Sequence, residues 1–269
     1  MPDLSIIIVS YNARVDLERC LESLHSPAPS IAHEIIVVDN QSSDGSAAAA
    51  RRWPRVKVID AGSNLGFARG NNLGIRATTG TSLLLLNSDT IVPAGAIDRL
   101  VAELDRHPEA AVIGPRLVDA RGRAELSFGP MLGPLTELRQ KVLFRGQVHG
   151  LPVLSRIVER ATRQPHTPGW VTGACLLVRR RDAEAVGLLD ERYFMYTEDV
   201  DFCAAIRARG RTILFTPDVE IVHLRGRSAA SAPGQTLRAY RQSQLAFYEK
   251  HHPVWAPVLR LYLRLRGQL

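Results

Sequence analysis

Ser82-Leu83-Leu84-Leu85-Leu86-Asn87-Ser88-Asp89 decides how the rest of the chain is read. Four consecutive leucines leave no polar face, as expected of a strand buried on both sides in the middle of a parallel sheet. The run stops at three small polar residues. In open α/β sheets ligands bind just outside the carboxyl ends of the strands, which is where Asn87, Ser88 and Asp89 fall. A carboxylate at that point, Asp89, can hold a hard cation against phosphate oxygens. Residues 1–90 thus read as a nucleotide site converging on Asp89, with the remainder supplying what reacts there.

Working outward, Leu4–Val9 is a β-branched apolar run and a first buried strand. It ends at Ser10-Tyr11-Asn12, where Asn12 is placed to cap a helix carrying Leu17, Cys20, Leu21 and Leu24 at helical spacing. Glu34–Asp39 is a second strand, closed by Asn40-Gln41-Ser42-Ser43-Asp44-Gly45. Ser43 or Asp44 then caps an alanine-rich helix to about Trp53. Val56–Ile59 is a third strand. Strand, turn and helix in repetition predict a parallel sheet. Residues 61–74 are rich in small and amide side chains and lead into a helix. They fit a phosphate-facing helix start and equally a plain glycine turn.

Beyond Asp89, Pro93 is expected as the first residue of a helix with a buried stripe of Ile97, Leu100, Val101 and Leu104. Ala110–Val118 is a strand, and Leu117–Phe128 a hairpin about Asp119-Ala120-Arg121-Gly122. From Gly129 to Pro168 the pattern weakens, with helices expected at Thr136–Phe144 and Val153–Arg163. Such a segment is a functional loop or lid, or else an inert surface insertion. Trp170–Val178 restores strand character, with Gly173-Ala174 marking a close backbone approach. Thr197 is an N-cap candidate. Thr212–Thr216 and Val219–Val222 are short strands, ending at His223.

Composition narrows the function classes. Of 269 residues, 45% are hydrophobic and 23% charged, as in ordinary globular proteins. The formal net charge of +7 permits nucleic acid, anionic lipid or phosphorylated ligands and selects none. The arginines are scattered with no stacking aromatics between them, which argues against nucleic acid. Cys20, Cys175 and Cys203 are far apart and form no CxxC pair, which favours reduced thiols in a cytoplasmic protein over disulfides or zinc. The N-terminus reads as a strand, not a signal peptide, and no uncharged apolar run reaches the ~20 residues that span a bilayer.

Glu198, Asp199 and Asp201 lie within four positions, just after Tyr193, Phe194 and Tyr196. Acids there complement a helix dipole. Crowded against one another and against rings, one of them would also have a raised pKa suited to taking a proton from a hydroxyl. His223, followed by Arg225 and Arg227, is either a metal ligand or a packed strand-end histidine.

The order of these pieces resembles the inverting family-2 glycosyltransferases of GT-A fold, in particular the bacterial rhamnosyltransferase-like branch. The matching stretches are Val9–Asn12, Val37–Gly45, Asn64–Phe67 with Asn71-Asn72, Leu86–Asp89, Trp170–Ala174, Tyr196–Asp201 and His223. They span roughly residues 4–228. The resemblance implies a Rossmann-like, mostly parallel α/β sheet flanked by helices, with an acceptor-side insertion and a C-terminal helical tail. It implies that Ser10, Tyr11 and Asp39 line the base and ribose pocket, Asp39 accepting from a pyrimidine N–H. Asn64, Gly66 and Asn71 would flank the nucleotide, with Asn87 and Ser88 beside it. Asp89 and His223 would hold Mg2+ or Mn2+ on the diphosphate. Asp199 would be the catalytic base with Glu198 next to it, and Trp170 and Gly173 would shape the acceptor side. Asn87 stands where many members carry aspartate, so one carboxylate remains in that motif and metal should bind well only together with the donor.

The expected organisation is a glycosyltransferase domain over 1–228, with 1–118 its nucleotide-sugar half and 119–228 its acceptor half, followed by a basic tail over 229–269. In the tail, arginines alternate with Val254, Trp255, Val258, Leu261, Tyr262 and Leu265. That composition suits an interfacial helix on anionic lipid, or a helix packed on the domain with a solvated basic face. The resemblance implies inverting transfer of a sugar such as rhamnose from a dTDP- or UDP-sugar to a hydroxyl of a glycan or lipid-linked acceptor in cell-surface polysaccharide synthesis. The expected partners are that donor, that acceptor and an anionic membrane surface on the inner face of the plasma membrane. A homodimer is compatible with this reading. The alternative is a non-catalytic nucleotide-sugar-binding or membrane-surface module with the same fold. A sugar nucleotidyltransferase is disfavoured, because no glycine-rich, lysine-bearing loop follows the first strand.

Overall fold

The leucines of the organising run are each at most 1% exposed, inside β4 (Ser82–Asn87) at the centre of an eight-stranded sheet. The computed structural model describes residues 2–148, 151–224 and 233–268. On one side of β4 lie β1 (Leu4–Ser10), β2 (His33–Asp39) and β3 (Val56–Asp60), all parallel. Between them run α1 (Arg14–His25), α2 (Ser46–Ala50) and α3 (Gly66–Arg76). A fully apolar strand gains most at such a central position, since burying a leucine side chain is worth roughly 1.5–3 kcal/mol.

The other side of β4 departs from parallel order. A two-residue strand, β5 (Thr90–Ile91), leads to α4 (Ala96–Asp105) and β6 (Ala110–Val118). After β7 (Phe128–Gly129), α5 (Pro134–Val148) and α6 (Pro152–Ala161), the chain returns through β8 (Trp170–Val171) and β9 (Cys175–Arg179). Then follow α7 (Arg180–Ala185), α8 (Glu198–Ala208), β10 (Thr212–His223), α9 (Pro233–His251) and α10 (Ala256–Leu265). The sheet order is β3-β2-β1-β4-β9-β6-β10-β5. β9 is antiparallel to both β4 and β6, and β7 and β8 form a separate two-stranded ribbon.

Several local expectations change. Asn12 does not cap α1: it takes a left-handed φ of 49°, and its Oδ1 accepts from the Ser43 amide at 2.8 Å, so it ties the β1 and β2 loops together. The α2 start is held by Asp44, whose Oδ1 accepts from the Ser46 amide, while the helix ends before Trp53. Pro93 precedes α4 rather than opening it, because Gly95, left-handed at φ 68°, is its N-cap. Residues 170–178 are not one strand: they break at 172–174, where the chain leaves the ribbon for the main sheet. The two strands expected within 212–222 are one strand with an irregularity between Thr216 and Glu220. Both helices expected within the weakly patterned segment are present as α5 and α6.

The tail packs on the body through α9. Phe247 and Tyr248 are buried with Tyr193 and Val200. Tyr248 donates to Glu137 at 2.7 Å, and Ser243 donates to the Met195 carbonyl at 2.8 Å. Lys250 and His251 reach Asp201 at 2.8 and 2.6 Å. Asp201, 2% exposed, is thereby committed to anchoring α9 and separates from its two acidic neighbours. Breaking a buried pair of this kind leaves an uncompensated charge, which is what makes such an anchor specific. In α10 only Ala256 and Leu263 are buried, and Val258, Leu261, Tyr262 and Leu265 face outward.

Candidate active site

Parallel register sets the first edge of the candidate site. Ser10 pairs with Asp39, and Val9 with Asn87, so the ends of β1, β2 and β4 come out at one level. Asp39 is 4% exposed, and its Oδ2 accepts from the Ser42 amide at 2.9 Å. Among the described residues its Oδ1 and the Ser10 Oγ are buried without a hydrogen-bond partner. Buried polar atoms are costly to leave unpaired, so this pair is suited to a ligand that brings its own N–H. Tyr11, 42% exposed, stands at the rim of the same level.

Asn64, Gly66 and Asn71 shape the adjoining wall. Asn64 Oδ1 accepts from the Gly66 amide at 3.1 Å, and the Gly66 carbonyl accepts from Asn40 Nδ2 at 3.0 Å. Asn71 is buried and donates to the Phe67 carbonyl at 2.9 Å. Gly66 has a packing duty as well. Its φ is 80°, and a Cβ there would lie 2.2 Å from the Phe194 carbonyl oxygen, which accepts from the Phe67 amide at 2.7 Å. The start of α3 is thus docked on the loop before α8. Gly66→Ala is expected to destabilise the fold by about 2–3 kcal/mol through strain and overpacking, read as a lower urea midpoint. An unchanged midpoint would show that the two segments do not meet this closely.

The corner between Asp89 and His223 depends on β5. Its antiparallel pairing with β10 sets His223 opposite Thr90, next to Asp89. His223 Nε2 lies 3.3 Å from Asp89 Oδ1 and 3.4 Å from Asn87 Nδ2. Its Nδ1 lies 3.1 Å from Glu125 Oε2. Burial alone would lower the imidazole pKa, but the Asp89 and Glu125 carboxylates outweigh it and raise it to about 9. A carboxylate and an imidazole nitrogen converging from different strands fit a divalent cation whose remaining positions are taken by diphosphate oxygens and water. Among the described residues no group of three or more His, Cys, Asp or Glu side chains could hold a metal. Glu125, in the Leu117–Phe128 turn region, carries no sequence signal; only the fold brings it to the back of His223. A carboxylate in that position fixes the ring and its tautomer.

The acid helix meets the same strand ends. The Asn87 amide donates to the Ala174 carbonyl at 2.9 Å, and the neighbouring Gly173 amide donates to Asp199 Oδ2 at 2.8 Å. Asp199 is therefore linked to the end of β4 through two consecutive residues. A Cβ at Gly173 would stand 3.0 Å from the Phe67 ring and 3.5 Å from Asp199 Cβ, so any side chain here would press on the Phe67 ring. Burial raises the Asp199 pKa, while the Gly173 and Val200 amides oppose it. Glu198 is buried, its Oε2 has no hydrogen-bond partner among the described residues, and burial with the adjacent Asp199 charge raises it well above the usual carboxylate range. Burial raises the Tyr196 phenol too, with additions from Glu198 and then Asp89. That phenol is thus within the field of both Glu198 on the acid helix and Asp89 at the end of β4. Tyr196 and Thr197 are both left-handed, at φ 70° and 63°, a costly backbone state for side-chain-bearing residues. Thr197 sits at the N-cap without a side-chain cap bond.

Trp170 lies on the β7–β8 ribbon, its Nε1 donating to the Pro130 carbonyl at 3.0 Å. Ser88 is 6% exposed beside Asp89. Arg225 and Arg227 lie outside the described residues. The structure therefore brings Ser10, Asp39, Asn87, Asp89 and His223 to one edge of the sheet and links Asp199 to it through Gly173. Asp201 is turned away.

Comparison with known proteins gives the family. The family model described as Glycosyl transferase family 2 matches residues 5–163. The chain is 32% identical over 292 aligned positions to the N-acetylglucosaminyl-diphospho-decaprenol L-rhamnosyltransferase of Mycobacterium tuberculosis, covering 99% of this chain and 92% of that one. It is 29% identical to the low-salt glycan biosynthesis hexosyltransferase Agl10 of Haloferax volcanii, over 83% of this chain and 67% of that one. Among solved structures, the mannosyltransferase PcManGT of Pyrobaculum calidifontis, in complex with GDP-Man and Mn2+, superposes with a TM-score of 0.66 at 18% identity, over 96% of this chain and 68% of that one. The sheet order, the converging strand ends and these matches together establish that the chain belongs to glycosyl transferase family 2.

Proposed function

We propose that this glycosyltransferase moves a rhamnosyl group, with inversion at the anomeric carbon, from a dTDP- or UDP-linked donor to a hydroxyl of a lipid-linked acceptor. The observation that carries this reading is the Gly173–Ala174 link, which sets the Asp199 carboxylate beside the strand end that leads to Asp89. The rhamnosyl and lipid-linked parts rest on similarity to the mycobacterial enzyme.

In this reading residues 1–118 hold the donor and 119–228 the acceptor. Asp39 Oδ1 and Ser10 Oγ take the base and ribose. Asp89 and His223 would hold Mg2+ or Mn2+ on the diphosphate, with Glu125 keeping the imidazole aligned. Such a cation neutralises the charge that develops on the leaving diphosphate. Glu198, raised well above the usual carboxylate range by burial and the Asp199 charge, favours its protonated form more than an exposed acid does. Asp199, held by two amides, is the carboxylate that accepts the acceptor's hydroxyl proton. Two neighbouring acids in different environments divide the roles in this way. Attack comes from the face opposite the leaving group, so base and diphosphate lie across the sugar from one another.

The direct test incubates the purified protein with dTDP-rhamnose, UDP-sugars or GDP-mannose, Mn2+, and an N-acetylglucosaminyl-diphosphoryl lipid. Lipid-linked product from dTDP-rhamnose is expected; product from GDP-mannose alone would overturn the donor assignment.

The outward face of α10, with Val258, Leu261, Tyr262 and Leu265 beside Arg260, Arg264 and Arg266, suits the surface of an anionic bilayer. No helix among the described residues is long and apolar enough to cross a membrane. We place the enzyme peripherally on the inner face of the plasma membrane. Removal of residues 254–269 is expected to abolish co-sedimentation with phosphatidylglycerol vesicles, and unchanged co-sedimentation would refute the assignment.

A further inference from the structure

The weakly patterned segment builds a cavity of about 480 Å³ between β7, α5, α6 and the loop at 166–169. We propose that this cavity takes the isoprenoid chain of a polyprenyl-diphosphate-linked acceptor. The inference rests on the lipid-linked reading above and adds where the lipid sits.

The size is that of a small-molecule site, about 300–1,000 Å³. The lining is mainly apolar, with Leu126, Phe128, Met131, Leu143, Val158 and Ala161 as its body. Its polar side chains are Thr136, Arg139, Gln140, His166, Thr167 and Arg207, and most are engaged with backbone carbonyls. Thr136 donates to that of Met131 at 2.9 Å, and His166 Nδ1 lies 3.0 Å from that of Gln164. Gln140 Nε2 donates to the Phe128 carbonyl at 3.3 Å, and Arg207 donates to the Pro168 carbonyl at 3.1 Å. A sugar or nucleotide would lose most of its hydrogen bonds to water here without replacing them. A hydrocarbon chain has none to lose and gains by leaving water.

Position connects the cavity to the reaction. Gly129 and Phe128 pair with Trp170 and Val171 in the two-stranded ribbon, and the Thr172 amide donates to the Ser127 carbonyl at 2.8 Å. The next residue, Gly173, holds Asp199. An acceptor hydroxyl presented to Asp199 therefore has this ribbon along its path, with the apolar cavity behind it.

Charge and rim match the rest of such a molecule. Arg139 also lines the cavity, is exposed, and has no ion-pair partner among the described residues. A guanidinium at the mouth of an apolar cavity is suited to a diphosphate, which it can grip with two parallel N–H bonds. Leu135, Leu138, Val142 and Ile157, 46–82% exposed, form an apolar surface on α5 and α6 over which a chain can emerge toward a bilayer.

The test uses the full-length protein and N-acetylglucosaminyl diphosphates carrying a geranyl or a decaprenyl tail, the latter also with a diazirine near the diphosphate. Photolabelling is expected at 126–143 and 157–169. Label confined to 254–265 would place the chain on α10 and overturn the inference. The wild type is expected to show a lower KM for the decaprenyl than for the geranyl acceptor. Ile157→Glu, at an exposed position, and Ala161→Trp, which fills the cavity, are each expected to raise the decaprenyl KM at least about tenfold. Equal wild-type KM values for both tails, or wild-type KM in both variants, would overturn the cavity assignment while leaving the lipid-linked reading intact. If no tail supports sugar transfer, the lipid-linked reading itself fails, and this inference with it.

Discussion

Replacing Asp199 with asparagine is expected to lower kcat by about 10³-fold, the middle of the range for removing a general base. The affinity for nucleoside diphosphate should stay within a few-fold, because Asp39 and Ser10 lie at the ends of other strands. Asparagine has one acceptor oxygen where aspartate offers two. Either the Gly173 or the Val200 amide, both at 2.8 Å, then loses its partner, at a cost of about 1–3 kcal/mol in stability. Measuring the urea midpoint alongside turnover separates that cost from loss of the base. Glu198→Gln is expected to have the smaller effect on kcat, since the amide resembles the protonated acid that burial favours. A larger loss in Glu198→Gln than in Asp199→Asn would exchange the two roles.

The same assignment has a pH consequence. Burial raises Asp199, and burial with the Asp199 charge raises Glu198 further. A base works only when deprotonated, so kcat/KM should fall as pH drops through an apparent pKa above the ordinary carboxylate value of about 4. In Asp199→Asn that acid limb should disappear from the residual rate. An acid limb retained unchanged in the variant would move the base elsewhere.

Chelation by EDTA is expected to reduce turnover by at least about 10³-fold, the equivalent of several kcal/mol of leaving-group stabilisation, with recovery on adding Mn2+. Asp89 and His223 are the two candidate ligands in the corner. Metal and nucleoside diphosphate should therefore tighten each other's binding, by the same factor in each direction. Thermal shifts with Mn2+ alone, nucleoside diphosphate alone and both together measure this. His223→Ala should erase the combined excess. The free imidazole, with its pKa near 9, holds a proton that metal must displace. Metal affinity should rise with pH up to that value, and proton release should accompany binding. Turnover indifferent to chelation would remove Asp89 and His223 from the mechanism.

The parallel half of the sheet and the polar edge at its strand ends were legible because local signals suffice there. Apolar runs that stop at polar residues are buried strands with their ends at one edge, and Ser10, Asp39 and Asn87 fall into register once those strands pair. The other half was less legible. β5 is two residues long, too short for periodicity, yet its pairing with β10 delivers His223 to Asp89. Glu125 has neither spacing nor neighbours to mark it. The acids of α8 looked alike as a cluster, but a helix turns successive side chains in different directions. Asp199 goes to Gly173, and Asp201 goes to Lys250 and His251.

By itself the sequence pointed to the family, the parallel half of the sheet and which acids and histidine to consider, because those depend on residue type and local order. Only the tertiary structure decided which carboxylate meets Gly173 and which anchors the tail, what stands behind His223, and that the weakly patterned insertion borders an apolar cavity. Those outcomes come from strand pairing and helix packing between residues far apart in the chain, and a local pattern carries no information about them. The Ser82–Asp89 stretch shows both sides. Its leucines fix a central strand from sequence alone, whereas its single carboxylate acquires a partner only when β10 closes against β5.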